Sequence, residues 1–451
     1  MDMFVISGGR PLCGVVSASG SKNAALPIMA ASLVCSGQLR LSRVPDVVDV
    51  HSLRKLLATL GVRSTITADE PGGMTLEATS QKHHVAGYEL VRKMRAGICV
   101  LGPLLASRGH ARVSLPGGCN IGHRPIDLHL RGLSALGADL RVENGYVVAE
   151  ADRLRGAEVN LAGPHGSTVT GTCNIMTAAA LASGRTVITS AACEPEVIDL
   201  GHCLNRMGGN ISGLGTPVIE IDGVDQLAGA THEVIPDRIE TGTLLIAAAI
   251  TGGDVTVLDA RADHLVQTTN LLQHLGVCVQ LPSSSGDAHR GTCEIRARAN
   301  GRIRAAHVVA GPYPGVPTDL QAQLMALLCI AHGSSTVVDR VFPDRFLHAA
   351  ELMRLGARIH RRGDSAVIDG VARLGGANVM AGDLRASAAL VLAGLAAEGH
   401  TEIRRIYHLD RGYEQLETKL NGLGARITRT DDTPEPGSPH WRRQRRTAST
   451  T

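Results

Sequence analysis

Aromatic side chains are scarce in this 451-residue chain: Phe, Tyr and Trp make up 2%, and the single tryptophan, Trp441, lies near the C-terminus. Aliphatic packing must therefore build the interior, and platforms for stacking nucleic-acid bases are not expected. Strong net charge is also missing. Lys+Arg at 45 against Asp+Glu at 42 gives a formal charge of +3, so any anion-binding face has to be local. No segment approaches the roughly 18 uninterrupted apolar residues of a membrane span, and Met1 to Gly14 has no charged start leading into a long apolar stretch. The expectation is a cytoplasmic protein without nucleic-acid or membrane partners, monomeric or weakly oligomeric. The ten cysteines include no C-x-x-C pair. Cys99, Cys173, Cys203 and Cys329 sit in apolar runs, which predicts reduced thiols rather than a disulfide framework or a zinc site.

Against these absences stands Leu115-Pro116-Gly117-Gly118-Cys119-Asn120-Ile121-Gly122-His123-Arg124-Pro125. Its glycines let backbone N–H groups approach an anion, Arg124 offers a fixed fork of donors, and a nearby cation makes a thiol more acidic. The loop reads as phosphate chemistry beside an activated Cys119. A tight turn around an ordinary buried cysteine is the competing reading.

The chain is too long for one hydrophobic core, and it repeats internally. A helix-like segment ending in an apolar residue and glycine, then running into a strand, occurs six times, with glycines at 61, 137, 208, 276, 356 and 424. A second, more apolar helix pattern interleaves with it, ending at Gly37, Gly109, Gly184, Gly253, Gly333 and Gly399. Each unit is thus about 70 residues with two helices and short strands. Three units in each of two similar α/β domains is the economical arrangement. The apolar helices open on polar residues around Lys22, Arg95, Ser167 to Thr172, Asp237, Thr318-Asp319 and Asp383-Arg385. Asp237/Glu240 and Thr318/Gln321 have capping-box spacing. If these positive helix ends converge, the cleft between domains becomes an anion trap. Lys22, Arg95, Arg124, Arg345, Arg385 and Arg411 all fall at such openings or in loops after strands. Taken singly each reads as a surface ion pair, but their equivalent placement in a repeat points to a bound phosphate and carboxylate.

Six stretches carry a further signal: the one from Ser19 to Pro27, the Cys119 loop, Pro236 to Gly242, Tyr313 to Asp319, Asp383 to Ser387 and Tyr407 to Tyr413. In order, from about residue 4 to 428, the chain resembles the UDP-N-acetylglucosamine 1-carboxyvinyltransferase family of enolpyruvyl transferases. The resemblance implies an α/β fold of two inside-out α/β barrel domains, each of three repeated two-helix/short-strand units. It divides the chain into residues 1–21 plus 236–430 as one domain and 22–235 as the other, with 431–451 as a disordered basic tail.

It also implies the reaction, in which phosphoenolpyruvate and a sugar-nucleotide hydroxyl give an enolpyruvyl ether and phosphate by addition and elimination in peptidoglycan precursor synthesis. Lys22, Arg124 and Arg411 would hold phosphoenolpyruvate or its phosphate, with Arg95, Arg345 and Arg385 completing the cationic cluster. Asp319 would accept the hydroxyl proton, and Cys119 would act as general acid. Asn23, Arg124, Pro125, Ile126, Asp127, Leu128 and Val341 match acceptor-contacting positions. No metal or organic cofactor is implied.

Departures from the family pattern cluster on the acceptor side. The stretch from Gly163 to Thr172 is about three residues longer than usual by this comparison, Asp344 replaces an asparagine, His123 stands where a small residue is common, and the tail is arginine-rich. Transfer to another uridine nucleotide such as UMP, as in nucleoside-antibiotic biosynthesis, is therefore the alternative. A non-catalytic nucleotide-binding descendant is a second one.

Overall fold

Helices built of alanine, leucine and isoleucine on every face cannot meet water, and in the computed structural model they occupy the middle of each half of the molecule. The structure describes residues 2–67, 69–117, 125–282, 291–299 and 301–431. Cys119 and Arg124 lie outside the described residues, as does the chain beyond 431. One set of central helices, Arg238–Thr251, Thr318–Leu328 and Leu384–Ala396, packs mutually. The other comprises Lys22–Ala31, Leu101–Arg108 with its lead-in Arg95–Val100, and Val169–Ala179. Two separate hydrophobic cores result, one formed by Phe4 to Ala18 with Ile239 to Ile427, the other by Ala24 to Val234.

Six four-stranded sheets wrap these helices, each with one parallel and two antiparallel pairings. Three sheets borrow a strand from far along the chain. Asp2–Ser7 inserts between His400–Arg404 and Ile427–Asp431, and Cys13–Ser17 lies parallel to Asp254–Ala260. Leu227–Glu233 completes the sheet of Cys35–Ser42. The pairing of Asp2 with Asp431 makes residue 431 part of a strand, one residue beyond the boundary expected from sequence.

The repeat glycines do what a helix C-terminus demands. Gly61, Gly137, Gly208, Gly276, Gly356 and Gly424 have φ between 79° and 100°, the left-handed conformation that satisfies the last helical carbonyls without a Cβ penalty. In the second series the fourth position is corrected: Gly252 takes the left-handed cap at φ 67°, while a Cβ on Gly253 would meet the Leu12 carbonyl oxygen at 2.0 Å. The capping boxes also need correction. Asp237 caps its helix by accepting from the N–H of Ile239 and Glu240, but the Glu240 carboxylate accepts from the Ser19 N–H at 2.6 Å instead of returning to Asp237. Thr318 is the first helical residue after Pro317, and its hydroxyl donates to Asp339 at 2.6 Å. The spacing was right in both cases; a buried partner elsewhere in the chain took the side chain.

The two halves are joined by two strands of chain running past each other. Gly20 pairs antiparallel with Pro236, the Ser21 N–H donates to the Ile235 carbonyl at 2.7 Å and the Asp237 N–H to the Ser19 carbonyl at 2.8 Å. Lys419 fastens the crossing by donating to Ser19 Oγ and Glu240 Oε1, each at 2.7 Å. A Cβ on Gly20 would meet the Arg43 carbonyl oxygen at 1.6 Å, whereas one on Gly87 meets nothing within 4 Å. Gly20→Ala should therefore cost about 1–3 kcal/mol or more through overpacking of backbone, and Gly87→Ala should be close to neutral. Chemical denaturation of the two variants checks this; equal stabilities would contradict the crossover geometry.

Candidate active site

Because each crossing strand runs directly into a central helix, Lys22 and Arg238 stand at matched helix starts on either side of the junction. The remaining central helices open in the same direction. Lys22, Arg95, Val169, Arg238, Asp319 and Arg385 line a single cleft of about 370 Å³ between the two cores. Six helix N-termini with their positive dipole ends thus face one space. The helix starts converge as the repeat pattern leads one to expect.

Lys22 and Arg411, 389 positions apart, meet on one carboxylate. Lys22 Nζ donates to Asp49 Oδ2 at 3.0 Å, and Arg411 Nε donates to Asp49 Oδ1 at 2.9 Å. Asp49 lies in the first turn of the helix Val48–Thr59 and is buried. Burial alone would raise its pKa, but the charges of Lys22 and Arg411 outweigh that and hold the carboxyl below the usual range. Sequence reasoning missed Asp49, since an acid in a helix's first turn has an ordinary explanation.

A second carboxylate gathers two more cations. Asp319 Oδ1 accepts from Arg345 at 2.8 Å and its Oδ2 accepts from Arg385 at 3.0 Å. Burial again opposes ionisation, yet the two guanidinium charges, Arg385 first, hold the Asp319 carboxyl well below the usual range. Asp339 braces this group: it accepts from Thr318 Oγ1 and from the backbone N–H of Val341 and Phe342, while Arg345 also donates to Thr318 Oγ1. Asp383 caps the helix that carries Arg385, and Arg385 lies over the Tyr413 ring at 5.1 Å. Asp339 is another residue that sequence reasoning overlooked.

The other expected site residues divide. Asn23, Pro125, Asp127, Leu128 and Val341 line the cleft, and Arg95 donates to the Pro125 carbonyl at 3.0 Å. Ile126 does not line it; its side chain joins the apolar core. Arg124 and Cys119 lie outside the described residues. Among the described cysteines, Cys99 and Cys173 line the cleft; burial pushes the Cys99 thiol up to about 12 and the Cys173 thiol well above its ordinary value, so neither supplies a thiolate.

One wall of the cleft joins residues of the flagged stretches to Glu194 and Glu196, which the sequence did not single out. Arg238 forms a buried bidentate pair with Glu196 across the two halves, at 2.9 and 3.2 Å, and lies over the Tyr313 ring at 5.5 Å. Tyr313 in turn donates its N–H to Glu194 at 3.4 Å. The hairpin of Ala162–Gly163 and Gly166–Ser167, within the lengthened stretch, reaches this wall: a Cβ on Gly166 would touch Pro312 at 2.9 Å. Among the described residues no cluster of His, Cys, Asp or Glu is placed to hold a metal ion, and no helix is long and apolar enough to cross a membrane.

Comparison with known proteins assigns this architecture. The model of EPSP synthase (3-phosphoshikimate 1-carboxyvinyltransferase) matches residues 6–420. UDP-N-acetylglucosamine 1-carboxyvinyltransferase from an Anaeromyxobacter species is 52% identical over 95% of this chain and 99% of its own. The chain belongs to the 1-carboxyvinyltransferase family. The enzyme of the same name from Methylacidiphilum infernorum is 48% identical over 95% of this chain and 99% of its own. Among solved structures, the enolpyruvyl transferase NikO from Streptomyces tendae covers 95% of this chain and 99% of its own at 26% identity, with a TM-score of 0.85. EPSP synthase from Acinetobacter baumannii covers 96% of this chain and all of its own at a TM-score of 0.73 and 16% identity. The fold of this chain is that of the enolpyruvyl transferases.

The depressed pKa of Asp319 has a consequence for stability. Its folded value lies below the unfolded one, so its contribution is fully present above about pH 4 and is lost as pH falls through the folded value. The stability gap between wild type and Asp319→Asn should be widest at neutral pH and shrink as pH falls below about 4. Denaturation at a series of pH values measures this; a gap that grows on acidification would contradict the pairing.

Proposed function

We propose that the protein transfers the enolpyruvyl group of phosphoenolpyruvate to a hydroxyl of UDP-N-acetylglucosamine and releases phosphate. The observation that carries this reading is the meeting of Lys22, Arg95, Arg345, Arg385 and Arg411 with Asp319 in one cleft contributed by both halves. Near 50% identity to relatives named for that reaction supports the acceptor over UMP.

The chemistry asks for what the cleft holds. Protonation at C3 makes C2 of phosphoenolpyruvate electrophilic, the acceptor hydroxyl loses its proton as it attacks C2, and the tetrahedral adduct then expels phosphate with loss of a C3 proton. Lys22, Arg411 and Arg124 take the phosphate, and Arg95, Arg345 and Arg385 stabilise the carboxylate and the developing charge. Asp319 accepts the hydroxyl proton. In the unliganded cleft it is too acidic to do so well; an anion drawing Arg345 and Arg385 toward itself restores its basicity. Cys119 supplies the proton to C3. Asn23, Pro125, Asp127, Leu128 and Val341 contact the acceptor. Each of these roles depends on substrate seating in the cleft.

Isotopically labelled phosphoenolpyruvate, offered with UDP-N-acetylglucosamine and with UMP in parallel, tests the reading. The expected outcome is labelled ether and stoichiometric phosphate with the UDP-sugar only; product with UMP alone would move the acceptor, and none with either would overturn enolpyruvyl transfer to these nucleotides. Cys119→Ala should lower kcat by about 10²–10⁴-fold near neutral pH, the span of a lost general acid. Full activity in that variant would remove Cys119 from the mechanism.

A further inference from the structure

Asp49 is the one carboxylate in the described cleft that a cation from each half grips at the same time, and the enolpyruvyl-transfer reading gives it no part. Lys22, on its own side of the crossover, reaches Oδ2, while Arg411 comes from the far end of the chain to Oδ1 and, at 3.4 Å, to Oδ2. All three side chains are shielded: Asp49 is 4% exposed, Lys22 11% and Arg411 13%. Screening by solvent is therefore weak, and the charges act on one another strongly.

We propose that Asp49 is a positioning residue of the phosphate subsite, which fixes Lys22 and Arg411 at the spacing of one phosphate group and, by its own negative charge, keeps that subsite from retaining the phosphate it expels. The inference rests on the enolpyruvyl-transfer reading. Without Asp49, Lys22 and Arg411 would lose the carboxylate they share, and like charges at short range separate or recruit an anion from solution. With Asp49 the pair carries a net single positive charge, enough to orient phosphoenolpyruvate while the rest of the cationic cluster holds its carboxylate. Once elimination has cut the phosphate from that anchor, repulsion from Asp49 favours its departure. Asp49 lies in the first turn of its helix, whose N-cap residue Val47 makes no side-chain cap, and its carboxylate accepts from Lys22 and Arg411. Its lowered pKa, set against burial by Lys22 first and then Arg411, keeps the negative charge in place at working pH.

Calorimetry with inorganic phosphate reads the effect of Asp49 without any acceptor, and turnover of the wild type with UDP-N-acetylglucosamine reads the function separately. Asp49→Asn should bind phosphate roughly tenfold more tightly than wild type, with a steeper loss of affinity as salt is added. Its kcat should fall at least about tenfold as product lingers and the cations lose their alignment, with KM for phosphoenolpyruvate unchanged or lower. Asp49→Glu keeps the charge but displaces it, so phosphate affinity should return to within about twofold of wild type while kcat stays reduced. Phosphate affinity that is unchanged or weaker in Asp49→Asn would overturn the proposal. So would an Asp49→Glu variant with wild-type kcat, an outcome that remains readable if the asparagine variant fails to fold.

Discussion

Two carboxylates hold together cations that would otherwise repel one another: Asp49 pairs Lys22 and Arg411 from the two halves, and Asp319 pairs Arg345 and Arg385 within one half. Each sits between two positive side chains, whose charges outweigh the cost of its burial and hold its carboxyl below the usual range. The cleft is built around that balance. Positive helix ends and side chains gather from both halves, and the carboxylates make the gathering tolerable.

The fold exists to bring the cations there. A double crossing of the chain beside Gly20 and Pro236 starts a central helix in each half within two residues, so the helix starts face each other by construction. The borrowed strands lock the arrangement: Asp2–Ser7 and Cys13–Ser17 belong to sheets of the half that ends the chain, which ties the crossover to both its neighbours. The buried Arg238 pair with Glu196 and the hydroxyl-braced Arg345 add polar contacts whose partners lie in place before any ligand arrives. Preorganised charge of this kind is what a transition state that develops and sheds negative charge requires.

Much of this was legible in the sequence because it rests on local rules. Gly61, Gly137, Gly208, Gly276, Gly356 and Gly424 announce helix ends wherever they fall, and the spacing between them revealed the repeat. Lys22, Arg385 and Asp319 stand at helix openings, where position alone suggests an anion. What stayed hidden needed long-range partners. Asp49 meets Arg411 across 362 positions, Thr318 turns from capping its helix to Asp339, and Glu240 abandons its capping box for Ser19 and Lys419. In each case a local pattern was present and a buried polar group elsewhere in the chain claimed the side chain, since an unpaired buried donor or acceptor costs more than a cap is worth. Ile126 turns its apolar side chain into the core, while its neighbours Pro125 and Asp127 line the cleft.

The central claim is that Lys22 and Arg411 act on one anion together. A double-mutant cycle of Lys22→Met and Arg411→Met, read as kcat/KM for phosphoenolpyruvate, tests it most directly. The account predicts a coupling energy of about 1 kcal/mol or more between the two positions; additivity to within about 0.5 kcal/mol would show that they act apart and contradict it.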